Sequence, residues 1–134
     1  MKILLVYPEM ADTFYSFKYL TKIVGKKASY PPLGLLTVAA MLPSEWELRL
    51  IDTNVEQLTA DDIIWGDMVF ISAMNTQAES AFEIIRKCKL LKATIVAGGP
   101  LFTHEYNRFN DVDHFVLNEA EITLPLFLKD IESN

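Results

Sequence analysis

The sequence predicts a doubly wound α/β fold built on a five-stranded parallel sheet. Short apolar runs alternate with longer segments of helical period, and each run is apolar almost throughout. Near-continuous apolar strands separated by helices are typical of a parallel sheet that helices cover on both faces. With 134 residues, 51% hydrophobic and 22% charged, the chain has enough apolar material for one domain with a core. We therefore expect a single domain over residues 1–134.

Five apolar runs are the predicted strands. They are KILLVY (2–7), ELRLID (47–52), DMVFIS (67–72), ATIVA (93–97) and HFVLN (114–118). Because parallel strands are joined by right-handed crossovers, few topologies remain. Five strands of this kind most often take the flavodoxin-like (Rossmann-like) order 2-1-3-4-5, which is the order we expect.

The segments between the strands are the predicted helices. They cover residues 32–42, 59–65 (weaker), 79–91, 103–109 (short) and 119–132. The clearest apolar stripe is in 79–91 and consists of Ala81, Ile84, Ile85, Cys88 and Leu91. Cys88 is therefore expected to be a packed core thiol and not a nucleophile or ligand.

The connection from Pro8 to Pro32 is long for a loop between a strand and a helix. It carries either an extra short helix within TFYSFKYLTKIV, a functional loop, or both.

Charge and cysteine content exclude several classes of function. The net charge of −6 and the isoelectric point near 4.8 argue against a nucleic-acid or anionic-membrane partner. One cysteine excludes an internal disulfide and a cysteine-based metal cluster held within this chain. No apolar stretch approaches the roughly 20 residues that cross a bilayer. The start, MKILLVYP, does not resemble a signal peptide, so we expect a cytoplasmic protein without a transmembrane segment.

A ligand is expected at the carboxyl edge of the sheet, because open α/β sheets bind ligands there, near the switch in strand order. This rule selects the stretch after Tyr7 and the loops Ser72–Gln77, Gly98–Thr103 and Asn118–Glu121. Gly98 and Gly99 end the fourth predicted strand. Such a pair either makes a tight turn or lets a large ligand lie against the backbone, with a positive φ allowed.

The residues after the third strand bring neutral hydrogen-bonding groups to this edge. Ser72, Asn75, Thr76 and Gln77 suit amides, hydroxyls or a phosphodiester better than proton transfer. The alternative is that Thr76 or Gln77 caps the helix that follows.

The last loop has the spacing of a capping box, with Asn118 three residues before Glu121. We expect capping to be the main role of both, and Pro125 to lie in the first turn of a helix that starts slightly later. Earlier in the chain, Gly34 follows the rigid Tyr30-Pro31-Pro32 stretch. There it either allows close approach of the sheet or of a ligand, or simply belongs to a rigid helix entrance.

No catalytic residues can be assembled from the sequence. It contains no G-x-G-x-x-G and no Walker A pattern. The only histidines, His104 and His114, lack the Cys or His partners of a zinc site. The chain is therefore expected to bind a ligand without catalytic or metal-ligating residues of its own.

Five segments, taken together, resemble the N-terminal cobalamin (vitamin B12)-binding domain of radical SAM enzymes. They are PPLGLLTVAAMLP, LRLIDTNVE, DMVFISAMNTQ, IVAGGPLFT and HFVLNEAEITLPLFL, and they cover essentially the whole chain. The resemblance implies a flavodoxin-like fold that holds the corrin at the carboxyl edge of the sheet, with Ser72 and the glycine pair lining a channel for the nucleotide tail. The cofactor-binding residues that it implies are Ser72, Ala73, Met74, Asn75, Gln77, Gly98, Gly99, Pro100, Leu101, Phe102, Asn118 and Glu119.

Two departures from the family pattern bear on the cofactor. Classical cobalamin domains carry Asp-x-His-x-x-Gly after the first strand, but this chain has no histidine there. Many radical SAM relatives lack it too, so the resemblance implies base-off cobalamin without a protein histidine ligand. Many relatives also read Gly-Glu-Gly-Glu where this chain has Asn118-Glu119-Ala120-Glu121. Asn118 tolerates a left-handed backbone, whereas Ala120 does so poorly, which puts a backbone contact at Ala120 in doubt.

The resemblance also implies a longer protein. A radical SAM domain carries Cys-x-x-x-Cys-x-x-Cys for a [4Fe–4S] cluster, which one cysteine cannot hold. We therefore expect residues 1–134 to be a non-catalytic fragment of a methylase or cyclase whose C-terminal radical SAM domain uses that cluster and S-adenosylmethionine. One alternative is a domain of the same ancestry that no longer binds cobalamin and acts as a structural or protein-interaction module. Another, a small flavin or nucleotide binder, is disfavoured because the chain lacks a hydroxyl-rich phosphate loop after the first strand.

Overall fold

The central element is a parallel sheet of five strands in the order β2-β1-β3-β4-β5. The structure is a computed structural model that describes residues 1–11 and 31–134. Its strands are β1 (Lys2–Tyr7), β2 (Glu47–Asp52), β3 (Met68–Ser72), β4 (Thr94–Gly98) and β5 (His114–Val116). Every neighbouring pair is parallel. The predicted fold class and strand order are confirmed.

In the described ranges, one α-helix follows each strand along the chain. They are α1 (Leu33–Met41), α2 (Ala60–Trp65), α3 (Ala78–Leu90), α4 (Pro100–Glu105) and α5 (Ala120–Ser133). Two 3₁₀ turns, Asn75–Gln77 and Tyr106–Arg108, precede α3 and follow α4. The extra helix considered within TFYSFKYLTKIV, and Tyr30, lie outside the described residues.

Three local predictions were wrong. The short helix predicted at 103–109 begins at Pro100, because proline suits the first helical position. Pro125 lies inside α5 and not in its first turn, so it cannot donate to the carbonyl four residues earlier. Leu91 follows the end of α3 and is 38% exposed, so it is not part of the buried stripe.

The sheet is buried on both faces, which explains why its strands are apolar throughout. Alternate residues of β1 enter different cores: Leu4 and Val6 pack under α2, α3 and α4, whereas Ile3 and Leu5 pack under α1 and α5. This division follows from the period of two in a strand. The face of the sheet that carries Ile3 and Leu5 is therefore the one that α1 and α5 cover.

Cys88 lies on the buried side of α3 with no exposed surface, as predicted. Burial raises the pKa of its thiol to about 12, and the nearby Lys87 opposes the shift only weakly. A thiol that stays protonated and inaccessible is a packing group.

A capping box starts α2, which the sequence predicted only weakly. The Thr59 hydroxyl accepts from the Asp62 backbone N–H at 3.2 Å, and the Asp62 carboxylate accepts from the Thr59 N–H at 3.0 Å. The Thr59 hydroxyl also donates to the Asp62 carboxylate at 2.7 Å. This bond first, and then the bond from the Thr59 N–H, with a smaller effect of Arg49, hold the pKa of Asp62 below its ordinary value. The reciprocal cap explains how a helix of six residues is defined.

Across the ranges 1–11 and 31–134, the helices are too short or too polar to qualify as membrane-spanning segments.

Candidate functional site

A cleft of about 260 Å³ lies between α1, α5 and the carboxyl ends of β3, β4 and β5. The sheet contributes its floor, α1 one wall, and the start of α5 with the loop before it the other. Six of the predicted site residues line it: Ser72, Gly98, Gly99, Pro100, Asn118 and Glu119. The other lining residues are Gly34, Leu35, Thr37, Val38, Phe70, Ile71, Val96, Ala97, Val116, Ala120, Glu121 and Leu124.

Sequence reasoning missed most of these apolar lining residues, although a signal for some of them was present. Because alternate residues of a strand share a face, Phe70 belongs with Ser72 and Val96 with Gly98. Choosing the two glycines and Ser72 therefore also selects the residues two positions before them.

The two glycines, Gly98 and Gly99, are required mainly because side chains there would collide with the protein, and not because a ligand needs the space. Gly99 has φ 93° and ψ 177°, a backbone conformation that is essentially restricted to glycine. A Cβ on Gly99 would lie 2.8 Å from Ser72 Oγ and 3.0 Å from the carbonyl oxygen of Ala73. A Cβ on Gly98 would lie 2.7 Å from the carbonyl oxygen of Val116. The tight turn and the positive φ are present, but the missing side chains make room for the protein itself.

Gly34 is the glycine whose missing side chain opens the cleft. A Cβ there would meet only Ser72 Oγ within 4 Å, at the ordinary contact distance of 3.8 Å. The close approach to the sheet that the sequence suggested is therefore present. The Ser72 hydroxyl lies opposite Gly34. The other residues that the strands contribute to the floor of the cleft are apolar residues or glycine, so Ser72 is the polar side chain that the sheet presents to the cleft.

The last loop does not form the predicted capping box. Glu119 is the N-cap of α5, and no side chain caps the helix there. Asn118 instead adopts φ 63°, and its backbone N–H donates to Thr103 Oγ1 at 3.0 Å. The left-handed position is thus Asn118, while Ala120 is the first residue of α5. As a result, Ala120 and Glu121, the first residues of α5, lie at the wall of the cleft.

Gln77 has another role than capping α3, which was one of its two predicted roles. It is completely buried, with 0% exposed surface. Its Oε1 accepts from the Met74 N–H at 2.7 Å, and its Nε2 donates to the Pro8 carbonyl at 2.6 Å. No side chain caps α3, so the expected cap from Thr76 or Gln77 is wrong. The amide is used instead to join the loop after β3 to the loop after β1.

Asn54 makes a second connection to the loop after β1. Its Nδ2 donates to the Pro8 carbonyl at 3.1 Å and to Asp52 Oδ1 at 2.8 Å. Its Oδ1 accepts from the Met10 N–H at 2.9 Å. Beside this group, burial and the Asp52 carboxylate raise the pKa of Tyr7, while a hydrogen bond with Gln77 acts in the opposite direction.

The remaining predicted residues do not reach the cleft. Met74 and Asn75 are exposed at the carboxyl edge after β3. Ala73, Leu101 and Phe102 are buried in the core on the other face of the sheet. In the described residues, no group of three His, Cys, Asp or Glu side chains is arranged to hold a metal ion.

Comparisons with known proteins agree with this geometry. The B12 binding domain family matches residues 23–128. An uncharacterized methyltransferase of Synechocystis sp. is 40% identical over 134 residues, covering 98% of this chain and 25% of that protein. The hopanoid C-2 methylase of Rhodopseudomonas palustris is 37% identical over 100 residues, covering 74% of this chain and 19% of that protein. An uncharacterized methyltransferase of Pyrococcus horikoshii is 31% identical over 135 residues, covering 92% of this chain and 28% of that protein.

No solved structure matches the chain with significance. The chain spans only between 19% and 28% of the length of these curated relatives. The family match, in contrast, covers most of the chain, and the strand order and the cleft at the carboxyl edge are those expected from the resemblance. The chain therefore belongs to the B12 binding domain family.

Proposed function

We propose that this domain binds cobalamin, with the corrin over the carboxyl edge of the sheet and the nucleotide tail in the cleft between α1 and α5. The observation that carries the proposal is the cleft, because it opens at the edge where ligands of this fold bind. Its volume of about 260 Å³ is below the roughly 300–1,000 Å³ of pockets that enclose a whole drug-sized ligand. It therefore suits one arm of a large cofactor.

The chemistry of the cleft fits a nucleotide tail. Leu35, Val38 and Leu124 give apolar walls that suit an aromatic base. The Ser72 hydroxyl and the first amides of α5 suit a phosphodiester, since helix N-termini favour anions. Ser72, Gly98 and Gly99, with Asn118 and Glu119, are the predicted residues that we retain for direct contact.

We propose further that the cobalt has neither its own base nor a protein histidine as lower ligand. The loop after β1 has no histidine, and the chain has only His104 and His114. His114 begins β5, so it lies at the amino edge of the sheet, where its ring packs against Phe127. Met74 and Asn75, exposed at the carboxyl edge, are proposed to lie near the corrin.

At the level of the whole protein, we propose a cofactor-holding module of a radical SAM methylase or cyclase. The support is that the relatives are several times longer and include a hopanoid C-2 methylase. The [4Fe–4S] cluster and S-adenosylmethionine would belong to another domain of the same polypeptide. Bound cobalamin supplies methyl-transfer chemistry, and this domain holds and orients it. The cytoplasmic location stays a prediction.

Titration with hydroxocobalamin, followed by visible absorption, tests the proposal. We expect saturable binding by the unaltered chain. Gly34→Phe should weaken binding at least about tenfold, because the new ring enters open cleft space. Ala40→Phe is the matched control, since Ala40 is exposed on the same helix and does not line the cleft.

Cobinamide, which lacks the nucleotide tail, separates the cleft from the corrin surface. Gly34→Phe should leave cobinamide affinity unchanged while weakening cobalamin. Equal weakening of both would refute the assignment of the tail to this cleft. No binding of either compound by the unaltered chain at high micromolar concentration would refute the proposal and favour the alternative, a domain of the same ancestry with a structural or protein-interaction role.

A further inference from the structure

Gln77 connects two loops at the switch in strand order. The order β2-β1-β3-β4-β5 places the switch between β1 and β3, and these neighbours pair directly. Pro8 follows β1 and Met74 follows β3, and the buried amide of Gln77 binds a backbone group of each. A neutral amide can do this because it offers an acceptor at one end and a donor at the other.

The short segment Pro8–Ala11 is held through the carbonyl of Pro8 and the three N–H groups that follow it. The Pro8 carbonyl accepts from Gln77 and Asn54, at 2.6 and 3.1 Å. The three N–H groups that follow also have partners: Glu9 donates to Ser80 Oγ at 2.9 Å, Met10 to Asn54 Oδ1 at 2.9 Å, and Ala11 to the Thr76 carbonyl at 3.2 Å. A segment whose N–H groups are all bound to other elements has little freedom left.

These bonds come from the two sides of the segment. Asn54 follows β2, whereas Thr76, Gln77 and Ser80 belong to the turn and helix that follow β3. Asp52 in turn orients Asn54, because Asp52 Oδ1 accepts from both the backbone N–H and the Nδ2 of Asn54. The segment is therefore held between the edge strand β2 and the start of α3.

We propose that Gln77 and Asn54 are positioning residues that hold Pro8–Ala11 as a preformed part of the corrin-facing surface. The inference rests on the proposed function and goes beyond it, because Gln77 acts through the loop and does not contact the cofactor. A segment ordered before binding loses less conformational entropy when the ligand arrives, so its order contributes to affinity.

Hydrogen exchange of the cofactor-free chain tests the positioning. Gln77→Met keeps the volume of the side chain and removes both amide hydrogen bonds. The N–H groups of Glu9, Met10 and Ala11 should then exchange at least about tenfold faster, while those of Phe70 and Val96 in the sheet stay protected. Gln57→Met is the control, because Gln57 is exposed. Asn54→Ala is a second variant in case the first fails to fold, and it should expose the Met10 N–H in particular.

A pH series of Gln77→Glu distinguishes positioning from simple packing. Once ionised, the carboxylate of this variant can still accept from the Met74 N–H, but it cannot donate to the Pro8 carbonyl, so exchange at Glu9 to Ala11 should be fast. Because burial raises the pKa of a carboxyl, the series extends above neutral pH. The protonated acid can donate, so protection should return at acid pH relative to Gln77→Met.

Hydroxocobalamin titration then tests the link to the cofactor. Gln77→Met and Asn54→Ala should each weaken binding at least about tenfold, and Gln57→Met should not. Unchanged exchange at Glu9 to Ala11 in both variants would overturn the positioning role. Faster exchange with unchanged affinity would overturn the contribution to the corrin surface. A lack of binding by the unaltered chain would refute the proposed function and this link with it, whereas the exchange data would still decide the positioning.

Discussion

Replacing Gly99 with alanine should destabilise the fold itself, apart from any effect on a ligand. The backbone at φ 93° and ψ 177° is of the kind that costs about 1–3 kcal/mol for other residues. The added Cβ would also approach Ser72 Oγ to 2.8 Å and the Ala73 carbonyl to 3.0 Å. Overpacking of this kind costs about 1–3 kcal/mol, so the free energy of unfolding should fall by at least about 2 kcal/mol.

Gly34→Ala is the matched change with the opposite expectation. Its Cβ would meet Ser72 Oγ at 3.8 Å, an ordinary contact, and Gly34 lies in the first turn of α1. Alanine in a helix reduces the freedom of the unfolded chain, so stability should stay constant or rise by up to about 1 kcal/mol.

Urea unfolding followed by circular dichroism measures both variants. A loss of 2 kcal/mol lowers the midpoint by about 1 M when the slope is about 2 kcal/mol per M. The slope should not change. Gly99→Ala within about 0.5 kcal/mol of the unaltered chain would refute the reasoning. The same comparison shows why Gly34, and not Gly99, is the informative position for testing ligand binding.

Three further predictions concern single side chains. Thr59→Ala should lower the free energy of unfolding by about 1 kcal/mol at pH 7. The folded-state pKa of Asp62 is lowered, so the part of this stabilisation that depends on its charge is present above the ordinary pKa of 3.8 and is lost as the pH falls through the folded-state pKa. Urea midpoints of Thr59→Ala and the unaltered chain that differ equally at pH 7 and pH 2 would contradict this dependence on charge. Cys88 should not react with a thiol reagent at pH 8 in the native chain, because its thiol is buried and has a pKa of about 12. It should react fully in urea. Rapid labelling of the native chain would show instead that the core opens. Asn118→Ala should lower the free energy of unfolding by about 1–2 kcal/mol, whereas Asn118→Gly should not, because glycine adopts the φ of 63° without strain. Thermal unfolding checks this, and equal losses in both variants would argue against a left-handed turn at Asn118.

The sheet was predictable because each strand carries its own signal. KILLVY and ELRLID match β1 and β2 over their whole lengths. The last strand was predicted to reach Asn118 but ends at Val116. The difference has a local cause, since the left-handed Asn118 turns the chain towards α5 and its N–H binds Thr103 instead of a neighbouring strand.

The candidate site was predictable only in part. Ser72 and the glycines could be found because strand ends in this fold mark the ligand-binding edge. The buried, loop-joining role of Gln77 was not predicted, since its place after Asn75 and Thr76 suggested a contact with the ligand or a helix cap. Its burial depends on Pro8, 69 positions away in the chain, and no local pattern reports such a contact.

The interior position of β1 in the sheet has a consequence for the synthesis of the chain. β1 pairs with β2 on one side and β3 on the other, and Leu4 and Val6 have no exposed surface in the finished sheet. A ribosome makes β1 before either partner, and its second neighbour ends only at Ser72. Until then an apolar strand remains without its full sheet, because every pairing of β1 spans a long stretch of sequence. During synthesis, β1 therefore waits for about 65 residues of further chain before both of its neighbours exist, and an apolar strand without partners is prone to aggregation.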